Sequence, residues 1–277
     1  MYPQKRTIKH YLLSIYIPLM VFGFQIETSF AQTSWEDLRH QIFDYQVADA
    51  PSVQNVNDLF YVRSARAKLY ATNDSLKIGA PLRFRETVQV LRCEQDWCWV
   101  RRNVHQEGYV YAKYLSNLWL RAVKSSGRLY LYQGATLVKT FAANFGTNEE
   151  AHFKTQRSTL SDKDQWITPE GLFYIAAKND QSEYYKALII SYPNVDHARK
   201  GMQNGVISRQ EFESIKSANE NFRVPSMTTA LGGKIEIHGN GTSRRINWTR
   251  GCIALRDLYM DDLWDVVQIG TPILIEP

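Results

Sequence analysis

Two residues near the C-terminal end of the sequence have the types to do chemistry together. In "EIHGNGTSRRINWTRGCIAL", Glu236 to Leu255, His238 and Cys252 each lie beside a glycine and each at the border of a short apolar run. A cysteine attacks a carbonyl as its thiolate, and an adjacent imidazole makes that form accessible by taking the proton. Gly251 would let the backbone approach a substrate closely, and the N–H groups of Gly251 and Cys252 are candidates for binding a developing oxyanion. Gly239, Arg244, Arg245 and Arg250 are the neighbouring candidates for substrate contact, the arginines through a carboxylate. The same residues have blander uses. A free cysteine is often a small buried hydrophobe, and arginines in a loop are often simply solvated. A zinc site would need more than the chain offers here: His197 is the one added neutral ligand and no C-x-x-C exists, so no metal and no organic cofactor are expected.

The elements that must position these residues read as strands. "RLYLYQGATLVKTFAANFG" is two strands about a glycine turn, "TPEGLFYIAAKN" a turn into a strand, and "KALIISYPN" a strand closed by Pro193. "KIEI" is a strand that ends at His238, and "TPILIEP" is the last. Between them, residues 194–232 break the rhythm. "SRQEFESIKSAN" opens with Ser208 and has Glu211 three residues on, a capping box, with Phe212 and Ile215 on one face. "DLYMDDLWDVV" is a helix with an acidic start. A mostly β domain with a helical insertion is expected over residues 119–277. It argues against a doubly wound nucleotide-binding fold, and "HGNG" lacks the strand-to-helix glycine pattern of a dinucleotide site.

Upstream, residues 58–118 show short strands with closely spaced turns, which reads as a small barrel. Cys93 and Cys98 bracket "EQDW" between "TVQVLRC" and "CWVRR", and a four-residue hairpin loop would set them within disulfide reach. Residues 32–57 read as a lead-in helix followed by a linker. Residues 1–31 have a basic start (Lys5, Arg6, Lys9), an apolar run "YLLSIYIPLMVFGF", and Ser29 and Ala31 at the small positions of a cleavage site. That is the layout of a secretory signal, and the run is short for a membrane span. An exported protein, of the periplasm or cell envelope, is expected, with no membrane span once the signal is removed. Loss of the signal lowers the formal net charge from +5 to about +3. With the remaining basic residues dispersed, nucleic acid is not an expected partner.

Two resemblances sharpen this. Trp99-Val100, Gly108-Tyr109-Val110 and Lys113-Tyr114-Leu115 resemble the closing segment of bacterial SH3-like domains, which implies a wall-binding module or a spacer. "IHG…TRGCIAL", preceded by "TPEG" and "LGG" and closed by "GTPILIEP", resembles the L,D-transpeptidase (YkuD-type) catalytic domain over roughly residues 118–277. Together they imply a mainly β protein, a small SH3-like barrel followed by a β-sandwich-like catalytic domain. The family's nucleophile falls on Cys252 and its base on His238. The sequence departs from the commonest family signature: Thr249-Arg250-Gly251 precedes the cysteine without a second histidine, and Ala254 stands where an arginine is usual. No role of that histidine carries over; Arg250 either takes part of its space or is simply solvated.

The family resemblance implies peptidoglycan stem peptides as donors and an amine as acceptor, on a second stem or on a wall-anchored protein. Water as acceptor would make an L,D-carboxypeptidase, and some relatives cleave such links. A spent domain would leave a non-catalytic wall-binding protein, a reading that the presence of both Cys252 and His238 opposes.

Overall fold

The computed structural model describes residues 59–74 and 76–277. The expected signal peptide at 1–31 and the lead-in helix and linker at 32–57 lie outside the described residues. Within them the protein is mainly β.

The first sheet has five antiparallel strands in the order β6-β5-β4-β1-β7. These are β1 (Leu59–Val62), β4 (Thr87–Glu94), β5 (Trp97–Asn103), β6 (Gln106–Tyr111) and β7 (Leu115–Ser116), with β2 (Lys68–Leu69) and β3 (Ala80–Pro81) forming a separate two-stranded ribbon. Alternation sorts the faces: Cys98, Val100 and Val110 turn into a core with Val62, Val88 and Leu115, while Trp97, Trp99, Tyr109 and Tyr111 stay half-exposed on the other side. Trp97 stacks on Tyr111 with ring centres 3.9 Å apart. Cys93 pairs with Cys98 in register and the two are bonded, S–S 1.96 Å. The loop between them is tighter than the expected four residues. Pairing continues through Glu94 and Trp97, and the turn is made by Gln95 and Asp96, with Gln95 at φ 53°.

The second sheet has eight strands in the order β10-β9-β8-β15-β11-β12-β13-β14. They are β8 (Leu118–Val123), β9 (Arg128–Gln133), β10 (Thr136–Ala142), β11 (Gly171–Ser182), β12 (Tyr185–Ile190), β13 (Glu236–His238), β14 (Ile253–Ala254) and β15 (Pro272–Glu276). Pairing is antiparallel except for β8 with β15 and β13 with β14. The sheet curls until its edges approach: beyond β10, Asn144 bridges to Ala254 and Gly146 to Thr249. The concave side encloses the main core, including Leu120, Phe141, Phe145, Ile175, Leu188, Ile237 and Ile253. Two α-helices form the insertion, α1 (Val195–Gln203) and α2 (Arg209–Glu220), and α3 (Asp257–Val266) seals the core with Met260 and Leu263. Ser208 and Glu211 make the reciprocal capping box that opens α2. Leu59, Tyr61, Trp119 and Leu274 form an apolar cluster joining the two sheets, and Tyr61 Oη donates to the Leu118 carbonyl at 2.9 Å.

No helix among the described residues is long and apolar enough to cross a membrane.

Candidate active site

The shortest strands of the second sheet carry the candidate residues. β13 and β14 run parallel with Ile237 opposite Ile253 and His238 opposite Ala254. Continued one residue back, that register sets Cys252 beside Glu236. Partners on parallel strands point to one face, and neighbours along a strand to opposite faces. Ile237 and Ile253 therefore enter the core, while Cys252, Glu236 and His238 share the other face. A strand spacing of about 4.8 Å and a two-residue offset of about 6.6 Å put the Cys252 and His238 Cα atoms on the order of 8 Å apart, near enough for their side chains to work on one substrate.

Both side chains line a cleft of about 990 Å³. The imidazole is buried between aromatic rings, with Tyr184 4.5 Å and Trp248 5.9 Å away between centres. Its Nδ1 lies 2.7 Å from the Gly239 carbonyl, which can only accept, so Nδ1 carries the hydrogen and Nε2 is left with a free lone pair. The carbonyl one residue on thus orients the ring. Burial holds the His238 pKa below its usual value, against the opposing pull of that hydrogen bond.

Cys252 is half-buried, and its Sγ lies 3.4 Å from the Lys234 carbonyl, to which the thiol donates. Desolvation pushes the thiol up to about 12, with Glu236 adding to the rise and a Glu236 backbone hydrogen bond and Lys154 opposing it. At rest the pair is a neutral thiol and a neutral imidazole. A thiolate here would need a base to generate it, and His238 Nε2 offers a free lone pair in the same cleft.

The turn into Cys252 depends on glycine. Gly251 sits at φ 130°, and a Cβ there would lie 2.5 Å from the Ile167 carbonyl oxygen. Its N–H donates to Thr249 Oγ1 at 3.2 Å, and Thr249 Oγ1 donates to the Cys252 carbonyl at 2.7 Å. The Gly251 N–H expected to bind an oxyanion is thus engaged by Thr249 in this structure.

The remaining expected residues separate. Arg250 lines the cleft, its guanidinium 5.4 Å from the centre of the Trp166 ring. Arg244 and Arg245 do not line it, contrary to the substrate-contact expectation. Arg244 serves through its carbonyl, which accepts from Asn144 Nδ2 at 2.7 Å, and Arg245 lies outside, 3.6 Å from Glu149. Gly239 also stands behind the cleft: a Cβ there would meet Asp257 at 2.5 Å and the Tyr184 carbonyl at 2.7 Å. Its contribution is the carbonyl on His238. Helices α1 and α2 do not line the cleft either, whereas Met227, Gly232 and Gly233, at the end of the insertion, do. Among the described residues no three His, Cys, Asp or Glu side chains cluster as a metal site would require.

Sequence reasoning missed two residues. Asn144 is fully buried; besides donating to the Arg244 carbonyl it accepts from the Thr242 N–H at 2.8 Å, and so fixes the loop between His238 and Cys252. Lys154 is 1% exposed and lines the cleft, although its sequence surroundings, "HFKTQRST", read as solvated loop.

Residues 118–275 match the family model of the YkuD L,D-transpeptidase catalytic domain. The match covers more than half of the chain, and the chain belongs to that family. Among solved structures it is similar to an L,D-transpeptidase of Xylanimonas cellulosilytica, with 15% identity, 58% of this chain and 60% of that one covered, and a TM-score of 0.35. The helical cell shape determining protein Pgp2 of Campylobacter jejuni is 20% identical, with coverage of 58% and 50% and a TM-score of 0.36. The catalytic domain of an E. faecium L,D-transpeptidase acylated by ertapenem is 14% identical, with coverage of 58% and 97% and a TM-score of 0.33. The chain thus spans about half to three fifths of the first two. No curated protein matches it.

Proposed function

We propose that the protein is an exported peptidoglycan L,D-transpeptidase with Cys252 as nucleophile and His238 as general base and acid. The observation that carries this reading is the β13–β14 register, which puts both side chains on one face at one cleft in a domain of this family. His238 Nε2 takes the thiol proton as Sγ attacks the carbonyl between the third residue of a tetrapeptide stem and its terminal D-alanine. The same proton then passes to the leaving amine, D-alanine departs, and a thioester remains. An acceptor amine, deprotonated by His238, attacks the thioester and restores the thiol. The Cys252 N–H is the first candidate donor to the oxyanion, and Arg250 at the cleft rim is a candidate partner for a stem carboxylate.

The five-stranded sheet is read as an SH3-like module that holds the enzyme to the wall. Its half-exposed aromatic face supports that use.

Mass spectrometry of tetrapeptide-rich peptidoglycan treated with the mature protein tests the proposal. Dimers joined through two third-position residues, with D-alanine released and a Cys252→Ala control silent, are the expected products. Tripeptides without dimers would make water the acceptor and the protein a carboxypeptidase. No product from either sample would sink the catalytic reading.

A further inference from the structure

The mechanism above makes no use of Lys154, yet it is buried in the catalytic cleft. It follows β10 in a polar loop, lines the same cleft as Cys252 and His238, and is 1% exposed. Its Nζ donates to Ser158 Oγ and to the Gln165 carbonyl, two acceptors for three N–H bonds. Ser158 Oγ reaches in turn to the Arg250 carbonyl at 3.0 Å, so the ammonium is tied to the turn that presents the nucleophile. A buried ammonium needs charge compensation; with the thiol neutral at rest, Asp162 is the carboxylate that supports it, and a thiolate on Cys252 would be the second anion.

We propose that Lys154 is a positioning residue whose ammonium stabilises the Cys252 thiolate formed during acyl transfer. The proposal rests on Cys252 being the nucleophile, but its test reads the thiol alone and needs no peptidoglycan. As the S–H bond breaks, the proton moves to His238 Nε2 and the electron pair stays on Sγ. Lys154 gains and loses nothing in this step; it supplies a fixed positive charge. From β13, Glu236 faces the same sulfur and its carboxylate works against the thiolate, while its backbone hydrogen bond and Lys154 work for it. Burial brings the Lys154 ammonium down to about 8, resisted by Cys252 and Asp162, so the charge is lost just above neutrality.

That loss gives a signature. Cys93 and Cys98 are bonded, which leaves Cys252 as the free thiol, and its alkylation by iodoacetamide reports the thiolate fraction. In the intact protein the rate should climb with pH, show a shoulder near the loss of the Lys154 proton, then climb again. Lys154→Met should be about tenfold slower near neutral pH, lack the shoulder, and meet the parent rate in strong alkali. Glu236→Gln should keep the shoulder. Equal rates for Lys154→Met and the parent near neutral pH would overturn the proposal. So would a uniform offset at every pH, the mark of a merely structural role. If Lys154→Met does not melt cooperatively, Lys154→Arg replaces it: fast alkylation without a shoulder supports the proposal, and a retained shoulder overturns it. Should neither variant fold, the parent profile decides, and a rise without a shoulder refutes the assignment.

Discussion

At the scale of the residue, the candidate site is a histidine and a cysteine whose surroundings favour their neutral forms. Burial lowers the affinity of His238 for a proton and raises that of Cys252, so each favours its uncharged form. A base with a depressed pKa keeps its lone pair into mildly acidic solution. The acid limb of kcat/KM should therefore have its midpoint below the ordinary histidine value of 6.5. A midpoint above that value would contradict the burial argument. Replacing His238 by glutamine removes the proton acceptor at Nε2 and should lower kcat/KM by about 10²- to 10⁴-fold in a steady-state assay, with the fold intact by circular dichroism. The types of both residues were visible in the sequence, but a cysteine beside a glycine at an apolar run is also a common buried hydrophobe, and it was the resemblance to the family that singled out the pair. Lys154 was not visible, since nothing local distinguishes a buried lysine from a solvated one. Arg244 and Arg245 misled for the converse reason: a charged pair in the intervening loop looks aimed at the substrate, and the loop turns it outward.

At the scale of the element, strands with alternating or continuous apolar residues could be read directly, and the capping box announced α2. Helix α1 could not be read the same way. In "VDHARKGMQ" the apolar stripe is thin: Ala198 and Met202 join a cluster with Ile215 and Leu231, while the rest of the buried face is His197 and Gly201. The signal available was its cap: Asn194 accepts from the His197 N–H at 2.9 Å, and Asp196 follows in the first turn. His197 makes this helix acid-sensitive. Its Nδ1 donates to Asn194 Oδ1 at 2.7 Å, its ring stacks on Phe153 at 4.3 Å, and Nε2 has no hydrogen-bond partner among the described residues. Burial, then Lys200, lower its pKa to about 3, against Asp196. Between that value and 6.5 the unfolded chain binds a proton that the folded chain refuses, so stability falls as pH falls. The slope contributed is about 1.4 kcal/mol per pH unit. His197→Gln should flatten the acid dependence of the urea midpoint over that window; parallel curves for the two proteins would contradict the assignment.

At the scale of the whole molecule, a curled sheet delivers two short strands to one cleft. β13 has three residues and β14 two, too short for any periodicity to show, and their pairing depends on the edge brought round by Asn144 and Gly146. That is why the sequence indicated the pair but not its geometry. The register, the φ of Gly251 and the Gly239 carbonyl appear only once the sheet has closed. The five-stranded sheet shares an apolar cluster with the larger one through Tyr61 and Trp119, which couples a candidate anchoring module to the catalytic domain.

A thioester on Cys252 would be seen by intact-protein mass spectrometry after brief mixing with a tetrapeptide stem. The expected result is a mass increase equal to the tripeptide acyl group, removed by hydroxylamine and absent from Cys252→Ala. An adduct that persists in Cys252→Ala, or D-alanine release with no adduct at any quench time and undiminished in Cys252→Ala, would contradict it.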